Sequence, residues 1–258
     1  MLTQEEFHDE IKDRGWVHFK GVLSSEFVDA LNEGMDIAYQ NCRNVQVQNG
    51  VDVNTDGTVH HLLGQHEVFL EFIKKLPLHD YMKTFFGIPY IVNGFGGVIN
   101  LPHKASYVCN IHRDIRTFYT LPMMINMLVM LDDFTLENGA TYFLSGSNKK
   151  DERPTDEDFY AKSERAVGKA GDIILFDSLV WHAAGKNTTE KIRRALTLTY
   201  SRPFMKQQLD YPRALGYDRG EEFAEDVRQV LGYNSRVPSN LSEWYQPPAK
   251  RFYKPGQG

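Results

Sequence analysis

The chain has 258 residues, of which 41% are hydrophobic and 24% charged, and its formal net charge is −5. This length and apolar content permit one domain with a full core, and the interspersed charges leave no basic stripe of the kind that binds nucleic acid. The two cysteines, Cys42 and Cys109, form no CxxC pair, which argues against a disulfide framework or a thiolate zinc site.

The first 88 residues are expected to be mainly helical. Thr3 and Glu6 have the spacing of a capping box, which predicts a short helix through Lys12. Ser25 is the expected cap of a second helix that continues to about Tyr39. The remaining predicted elements are a strand at 16–19 and helices at 68–73 and 81–86.

The segment 45–65 is rich in Asn, Gly, Asp and Thr, which predicts a long loop or a loosely held hairpin. Long polar loops in compact domains are often functional, so this one is a candidate lid. Its composition favours exposed side chains for His60, His61 and the following His66 over a second metal site.

From residue 89 to about 205 the pattern changes to short β-branched or aromatic runs separated by turn residues. Many short strands at close spacing predict an antiparallel barrel or sandwich, with the helices packed on one outer face, an α+β arrangement. The tail, 206–258, is expected to wrap the barrel and to hold one helix near 221–231. The predicted strands are 90–92, 97–100, 106–112, 124–131, 140–144, 166–168, 172–176, 180–182 and 194–200.

The letters HRD at 112–114 also occur in protein kinases, but the rest of a kinase is missing. The nearest match to a DFG motif, 132–134, is followed by Thr135 in place of the glycine. The glycine cluster 94–97 lies just before the HRD letters and leaves no room for a nucleotide lobe. A kinase is therefore excluded.

A metal site explains these letters better. If the chain around 106–114 is a strand, alternation places His112 and Asp114 on one face, pointing into the barrel. His182, in the stretch WHAAGKN, is the best candidate for a third ligand. Two histidines and one carboxylate form a facial triad that leaves positions open on Fe(II), whereas a structural zinc site would be closed by protein.

Arg193 is the candidate holder of a co-substrate. A guanidinium at the start of this late strand can bind the distal carboxylate of 2-oxoglutarate with two parallel hydrogen bonds, which a lysine cannot do. Arg194 would take this role if the strand register shifted by one residue.

Several motifs in order resemble the phytanoyl-CoA dioxygenase family of Fe(II)/2-oxoglutarate oxygenases over roughly residues 5–205. The resemblance implies a double-stranded β-helix, a cupin-like jelly-roll barrel. It also implies His112, Asp114 and His182 as iron ligands, Arg193 as the 2-oxoglutarate anchor, and hydrogen bonds to 2-oxoglutarate from Thr141, Asn110 and Asn100. The motifs are HxD at 112–114, ENG-T at 137–141, SGS at 145–147, WHAAGKN and the pair Arg193-Arg194.

Two positions depart from the family pattern. Ala184 stands where a serine is common, so Thr197 or Thr199 would have to supply that hydrogen bond. Asn148 replaces a histidine after the SGS turn. Because Asp114 is present, iron keeps no position for chloride, which favours hydroxylation over halogenation.

The sequence thus predicts a single-domain dioxygenase that uses Fe(II), 2-oxoglutarate and dioxygen to hydroxylate a small molecule. The alternatives are a non-catalytic barrel that binds a metal or small molecule, and a cupin-like isomerase that works without dioxygen. Four residues flank the HxD segment and are either surface residues, the favoured interpretation, or contacts for an anionic substrate: Lys104, Arg113, Arg116 and Tyr119.

No membrane association is expected. The N-terminus lacks a basic region followed by an apolar run, and the most apolar segment, 123–131, is too short to cross a bilayer and is expected to be a core strand. We therefore predict a cytoplasmic protein.

Overall fold

The computed structural model describes residues 2–53, 55–104 and 107–257. Within these residues the strands form two antiparallel sheets. The strands are β1 (Trp16–Phe19), β2 (Thr58–Val59), β3 (Ile91–Asn100), β4 (Met124–Met130), β5 (Thr141–Phe143), β6 (Glu164–Ala166), β7 (Ile173–Asp177), β8 (His182–Ala183) and β9 (Arg193–Ser201).

The larger sheet has the strand order β1-β7-β4-β9-β3-β2, and the smaller one has the order β6-β5-β8. The two sheets pack on each other through one hydrophobic cluster, in which Trp16 and Phe176 of the larger sheet meet Phe143 of the smaller one. This arrangement is a jelly-roll β-sandwich, the double-stranded β-helix, and it confirms the predicted fold class.

Most of the helices cover the outer face of the larger sheet, whereas Phe159, in the helix at 156–162, packs against Trp181 and Ala183 beside the smaller sheet. Along β4, Ile125, Met127 and Val129 point into the cluster shared with the helices, whereas Leu128 and Met130 point toward the smaller sheet. The helices are α1 (Gln4–Asp13), α2 (Ser25–Gln48), α3 (Glu67–Lys74), α4 (His79–Phe86), α5 (Asp156–Lys162), α6 (Tyr211–Leu215), α7 (Glu225–Val230) and α8 (Leu241–Trp244).

Helix α2 differs from its prediction at both ends. Ser24 is the N-cap and accepts a hydrogen bond from the backbone N–H of Phe27, so Ser25 is already helical. The helix also continues to Gln48 instead of ending near residue 39. The polar last turns are held by a tertiary contact, because the buried Gln46 amide donates to the carbonyl of Thr58 in β2 at 3.2 Å.

The predicted strand at 106–112 is wrong in its described part. Residues Tyr107–Cys109 form a 3₁₀ turn, and His112 forms only an isolated bridge with His182. The glycine cluster, in contrast, does not interrupt the sheet, since β3 continues through it. A Cβ on Gly96 would lie 2.8 Å from the carbonyl oxygen of Val59, so the glycine permits the close approach of β2.

The tail is part of the main core. Tyr211, Phe223 and Val227 are buried in the same hydrophobic cluster as the N-terminal helices. The predicted helix at 221–231 is divided into a 3₁₀ turn, Asp218–Glu222, and α7. Among the helices of the described ranges, none is long and apolar enough to cross a membrane.

Candidate active site

A cavity of about 320 Å³ opens between the two sheets. Residues of β3, β4 and β9 form its larger wall, and Thr141 and Phe143 of β5 face them. His112, Asp114, His182 and Arg193 all line this one cavity. The structure therefore brings together the four residues that the sequence singled out first.

Three possible ligand atoms converge in the cavity. One ligand atom from each of His112, Asp114 and His182 lies within 4.8 Å of the other two. The Nε2 atom of His182 is 3.6 Å from Oδ2 of Asp114, and Nε2 of His112 is 3.8 Å from Oδ1. Backbone hydrogen bonds of 3.0 and 2.9 Å between His112 and His182 fix the two histidines side by side.

Both imidazoles are oriented by backbone carbonyls. Nδ1 of His112 lies 2.7 Å from the carbonyl oxygen of Asn110, and Nδ1 of His182 lies 3.0 Å from that of Val180. A carbonyl only accepts, so Nδ1 carries the proton and the Nε2 lone pair faces the cavity. Burial, together with the adjacent imidazole of His112, lowers the pKa of His182 to about 4, which keeps the His182 ring neutral at pH 7.

Asn126 orients the carboxylate and was missed by the sequence analysis. Its side-chain amide donates a hydrogen bond to Oδ2 of Asp114, while the Asp114 backbone N–H donates to the carbonyl of Ser178 at 3.1 Å. Asn126 is buried in the otherwise apolar strand β4. The sequence did contain a signal for Asn126, because a single amide side chain within an apolar strand needs a buried hydrogen-bond partner.

Arg193 is a buried cation with an unsatisfied donor. Its side chain is almost fully buried and stacks over the ring of Phe134 at 4.0 Å, and its Nε has no hydrogen-bond partner in the described part of the chain. Burial lowers the pKa of Arg193 to about 10, so the guanidinium is still charged at neutral pH. Burying such a charge unpaired is costly, and an anion bound in the cavity would offset that cost.

The side chain of Arg194 points away from the cavity. Its guanidinium makes two hydrogen bonds to the carboxylate of Asp132, Nε to Oδ2 at 3.1 Å and Nη2 to Oδ1 at 3.0 Å. It does not line the cavity. Of the two arginines, only Arg193 is placed to bind an anion there.

The remaining residues predicted around 2-oxoglutarate divide into two groups. Thr141 lines the cavity. Asn100 and Asn110 do not. The amide of Asn100 donates to the carbonyls of Asn138 and Gly185 at 3.2 and 3.0 Å, and so joins the ENG turn to the WHAAGKN loop. Asn110 is exposed, and its carbonyl orients His112.

Of the two positions that depart from the family pattern, Ala184 is at the cavity and Asn148 is not among its lining residues. Ala184 lines it without a polar group, and Thr197 and Thr199 of β9 line it as well. The basic residues near the HxD segment are not at the cavity: Lys104 pairs with Asp56 at 3.2 Å, and the buried Arg113 pairs with the carboxylate of Asp151.

The segment before α3 contributes two histidines to the wall of the cavity, which its polar composition did not indicate. His60 and His66 are exposed as predicted and His61 is half-buried, but His60 and His61 also line the cavity. Sequence reasoning missed them because a polar, glycine-containing segment shows no periodicity from which the direction of a side chain can be read.

The donor set suits an ion of the Fe(II) type. Two imidazole nitrogens and one carboxylate oxygen would fill three ligand positions, and the described residues bring no thiolate or second carboxylate into the group. An octahedral ion held in this way would keep three positions for other ligands. The unpaired guanidinium in the same cavity matches an anionic co-ligand.

A sequence profile of the phytanoyl-CoA dioxygenase (PhyH) family matches residues 11–195. An uncharacterised protein of Mycobacterium tuberculosis, Rv1501, is 38% identical over 194 residues, 74% of this chain and 71% of that protein. Dioxygenase af480 of Aspergillus fumigatus is 27% identical over 243 residues, 89% of this chain and 77% of that protein.

The fold resembles that of the epimerase SnoN from nogalamycin biosynthesis, whose structure was solved in complex with Fe³⁺, α-ketoglutarate and nogalamycin RO. The TM-score is 0.58 at 17% sequence identity, and the match covers 77% of this chain and 83% of SnoN. At this identity the likeness concerns the fold.

Proposed function

The chain belongs to the phytanoyl-CoA dioxygenase family, and we propose that it is an Fe(II)- and 2-oxoglutarate-dependent dioxygenase that hydroxylates an unactivated C–H bond of a small molecule. His112, Asp114 and His182 would hold the iron, and Arg193 would hold 2-oxoglutarate. The helical part, the barrel and the tail would act as one catalytic domain, since they share one hydrophobic core.

The observation that carries this proposal is the position of Arg193. It is a charged, nearly fully buried side chain with an unpartnered Nε, and it lines the same cavity as the three converging ligand atoms. A dicarboxylate that reaches from the metal to the guanidinium would fill open positions on the metal and pair with the charge of Arg193. Its distal carboxylate would accept two parallel hydrogen bonds from Arg193.

When bound, Fe(II) and 2-oxoglutarate supply the oxidising chemistry: one atom of dioxygen enters the succinate that forms as carbon dioxide is lost, and the other enters the substrate C–H bond. The chain positions these groups. The histidines and Asp114 leave one side of the site open, Asn126 fixes the carboxylate, and Thr141 is the proposed hydrogen-bond partner of the co-substrate.

Aromatic side chains keep water from part of the site. The ring of Phe176 lies 4.8 Å from that of His182, and the fully buried Phe143 stacks on the same imidazole at 5.9 Å. A water-poor site protects reactive species from side reactions and strengthens the interaction of Arg193 with a bound carboxylate.

Hydroxylation is the proposed outcome because Asp114 occupies the ligand position that a halide would need. The name of the fungal relative, a dioxygenase, agrees with oxidation. SnoN is named an epimerase, so mass spectrometry of the product is the direct test of the outcome. Hydroxylation adds one oxygen atom, desaturation or ring closure removes two hydrogens, and epimerisation leaves the mass unchanged.

The activity itself is tested by succinate formation from 2-oxoglutarate in the presence of Fe(II) and dioxygen. We expect slow succinate formation by the wild-type protein even without a primary substrate, and its loss in His112→Ala and Arg193→Ala. Undiminished succinate formation in both variants would refute the site. A binding protein would form no succinate, and an isomerase would convert its substrate without dioxygen.

A further inference from the structure

His61 is held in one orientation by Tyr211. The hydroxyl oxygen of Tyr211 accepts a hydrogen bond from the backbone N–H of Phe95 at 2.8 Å and lies 3.1 Å from Nδ1 of His61. Tyr211 is fully buried, so its own proton needs an acceptor, and Nδ1 is the atom in reach. Nδ1 therefore accepts, and the ring proton of His61 is on Nε2.

The backbone conformation at His61 also fixes the position of its side chain. Its φ angle is 56°, in the left-handed region that costs free energy for a residue other than glycine. The next residue, Leu62, anchors the turn by donating its N–H to the carbonyl of Phe95 at 2.8 Å. Burial and the neighbouring imidazole of His60 lower the pKa of His61, so the ring is neutral at pH 7. A neutral ring with Nε2–H is a hydrogen-bond donor that lines the cavity.

The cavity offers no net charge to a substrate once it is loaded. Among the described lining residues, Asp114 and Arg193 are the ones that carry a full charge. In the proposed function, the dianion of 2-oxoglutarate and Asp114 together balance the charges of Fe(II) and Arg193. A further ionic group would then be buried without a partner, which is unfavourable. The rest of the wall is apolar or uncharged, as with Met124, Leu128 and Gln208.

We propose that His61 determines substrate specificity by donating a hydrogen bond from Nε2 to an uncharged oxygen, such as a ketone, ether or hydroxyl, on an otherwise apolar substrate. This inference rests on the proposed function for the charge balance of the cavity, but not for the orientation of His61. It predicts that the part of the substrate inside the cavity is uncharged.

The orientation is tested by NMR on protein labelled with ¹⁵N-histidine, loaded with 2-oxoglutarate and with diamagnetic Zn(II) in place of Fe(II). The signal of His61 is assigned by its loss in His61→Asn, since asparagine tolerates the left-handed backbone. We expect a neutral ring with the proton on Nε2, and mixed tautomers in Tyr211→Phe. A proton on Nδ1, or a charged ring at pH 7, would overturn the proposal.

The specificity is tested with three probes of similar shape: cyclohexanone, cyclohexanecarboxylate and cyclohexylammonium. With 2-oxoglutarate saturating, cyclohexanone should shift the His61 signal and bind at least about 5-fold more tightly than either ion. In His61→Asn its affinity, read from ligand-detected NMR, should fall about 5-fold, the loss of one hydrogen bond. His66→Asn, in which an exposed histidine is replaced by another good N-cap residue, is the matched control and should bind as wild type.

Equal or tighter binding of an ion, or undiminished cyclohexanone binding in His61→Asn, would contradict the inference. The two proposals fail separately. A protein that binds no 2-oxoglutarate but shows the expected tautomer would refute the oxygenase and leave the orientation of His61 intact. The wrong tautomer beside normal 2-oxoglutarate binding would refute only the role of His61.

Discussion

The Nε2 atom of His182 lies 3.6 Å from Oδ2 of Asp114, and paired backbone hydrogen bonds to His112 hold the imidazole in that place. The donor atoms are thus arranged by the fold itself. An ion that binds here meets ligands that are already oriented by carbonyls and by Asn126.

Replacing His182 by alanine should abolish tight Fe(II) binding. Loss of a residue that only supports a metal ligand already costs about 10–100-fold in affinity, so loss of a ligand should cost at least about 100-fold. Anaerobic calorimetric titration with Fe(II) measures this, and His8→Ala, an exposed histidine on α1, is the control. Wild-type affinity in His182→Ala would show that the ion binds elsewhere.

Replacing Arg193 by lysine should weaken 2-oxoglutarate binding about 10–100-fold, because a lysine cannot form two parallel hydrogen bonds to a carboxylate. The matched control is Arg194→Lys, which disturbs the pair with Asp132 outside the cavity. It should lower the melting temperature slightly and leave the affinity for 2-oxoglutarate unchanged. Weakened 2-oxoglutarate binding in Arg194→Lys beside unchanged binding in Arg193→Lys would assign the anchor to Arg194.

Asn126→Ala should lower the affinity for Fe(II) about 10-fold, since Asp114 loses the donor that fixes its carboxylate. Asn32→Ala is the control, because its partly buried amide also donates a hydrogen bond, to the carbonyl of Leu131 at 3.0 Å. Both variants should be less stable than the wild type in thermal melts. If the metal affinities of the two variants are equal, Asn126 has no special role at the site.

Because of Asp177, the free energy of unfolding should fall as the pH rises from about 4 to about 6. Burial raises the pKa of Asp177 from 3.8 to about 6, so the folded state binds more protons than the unfolded state in this range. Asp177→Asn keeps an oxygen for the donors Leu179 and Tyr119 and should add on the order of 1 kcal/mol at pH 7.

Urea unfolding of Asp177→Asn at several pH values measures this effect. The difference in stability from the wild type should shrink as the pH falls from about 6 to about 4. Glu157→Gln, an exposed carboxylate on α5, is the control and should show no such change. A stability difference that does not vary with pH would mean that the Asp177 carboxylate is not held in its protonated form by burial.

The sequence predicted the convergence of His112, Asp114 and His182 better than it predicted the local structure that carries them. His112 and Asp114 were expected to share a face through strand alternation, yet their segment is a 3₁₀ turn followed by an isolated bridge. They converge because His112 pairs with His182 through the backbone. The motif spacing therefore singled out residues that converge in the fold, although the strand first expected to carry them is absent from the described residues.

Features that depend on contacts distant in the chain were not predictable from local patterns. His61 and Tyr211 are 150 residues apart, and the tail that carries Tyr211 has no periodicity that would direct it to the cavity. Helix α2 was predicted too short because its polar end is held by Gln46 against β2 and not by an apolar stripe. Tertiary contacts overrode local composition in both places.

The central claim is that one cavity binds Fe(II) and 2-oxoglutarate together, and anaerobic addition of 2-oxoglutarate to the Fe(II)-loaded protein tests it most directly. Chelation of the iron by the keto acid should produce a weak visible charge-transfer band in the wild-type protein, and the band should be lost in His182→Ala. A wild-type protein that binds Fe(II) tightly but develops no band at saturating 2-oxoglutarate would contradict the claim.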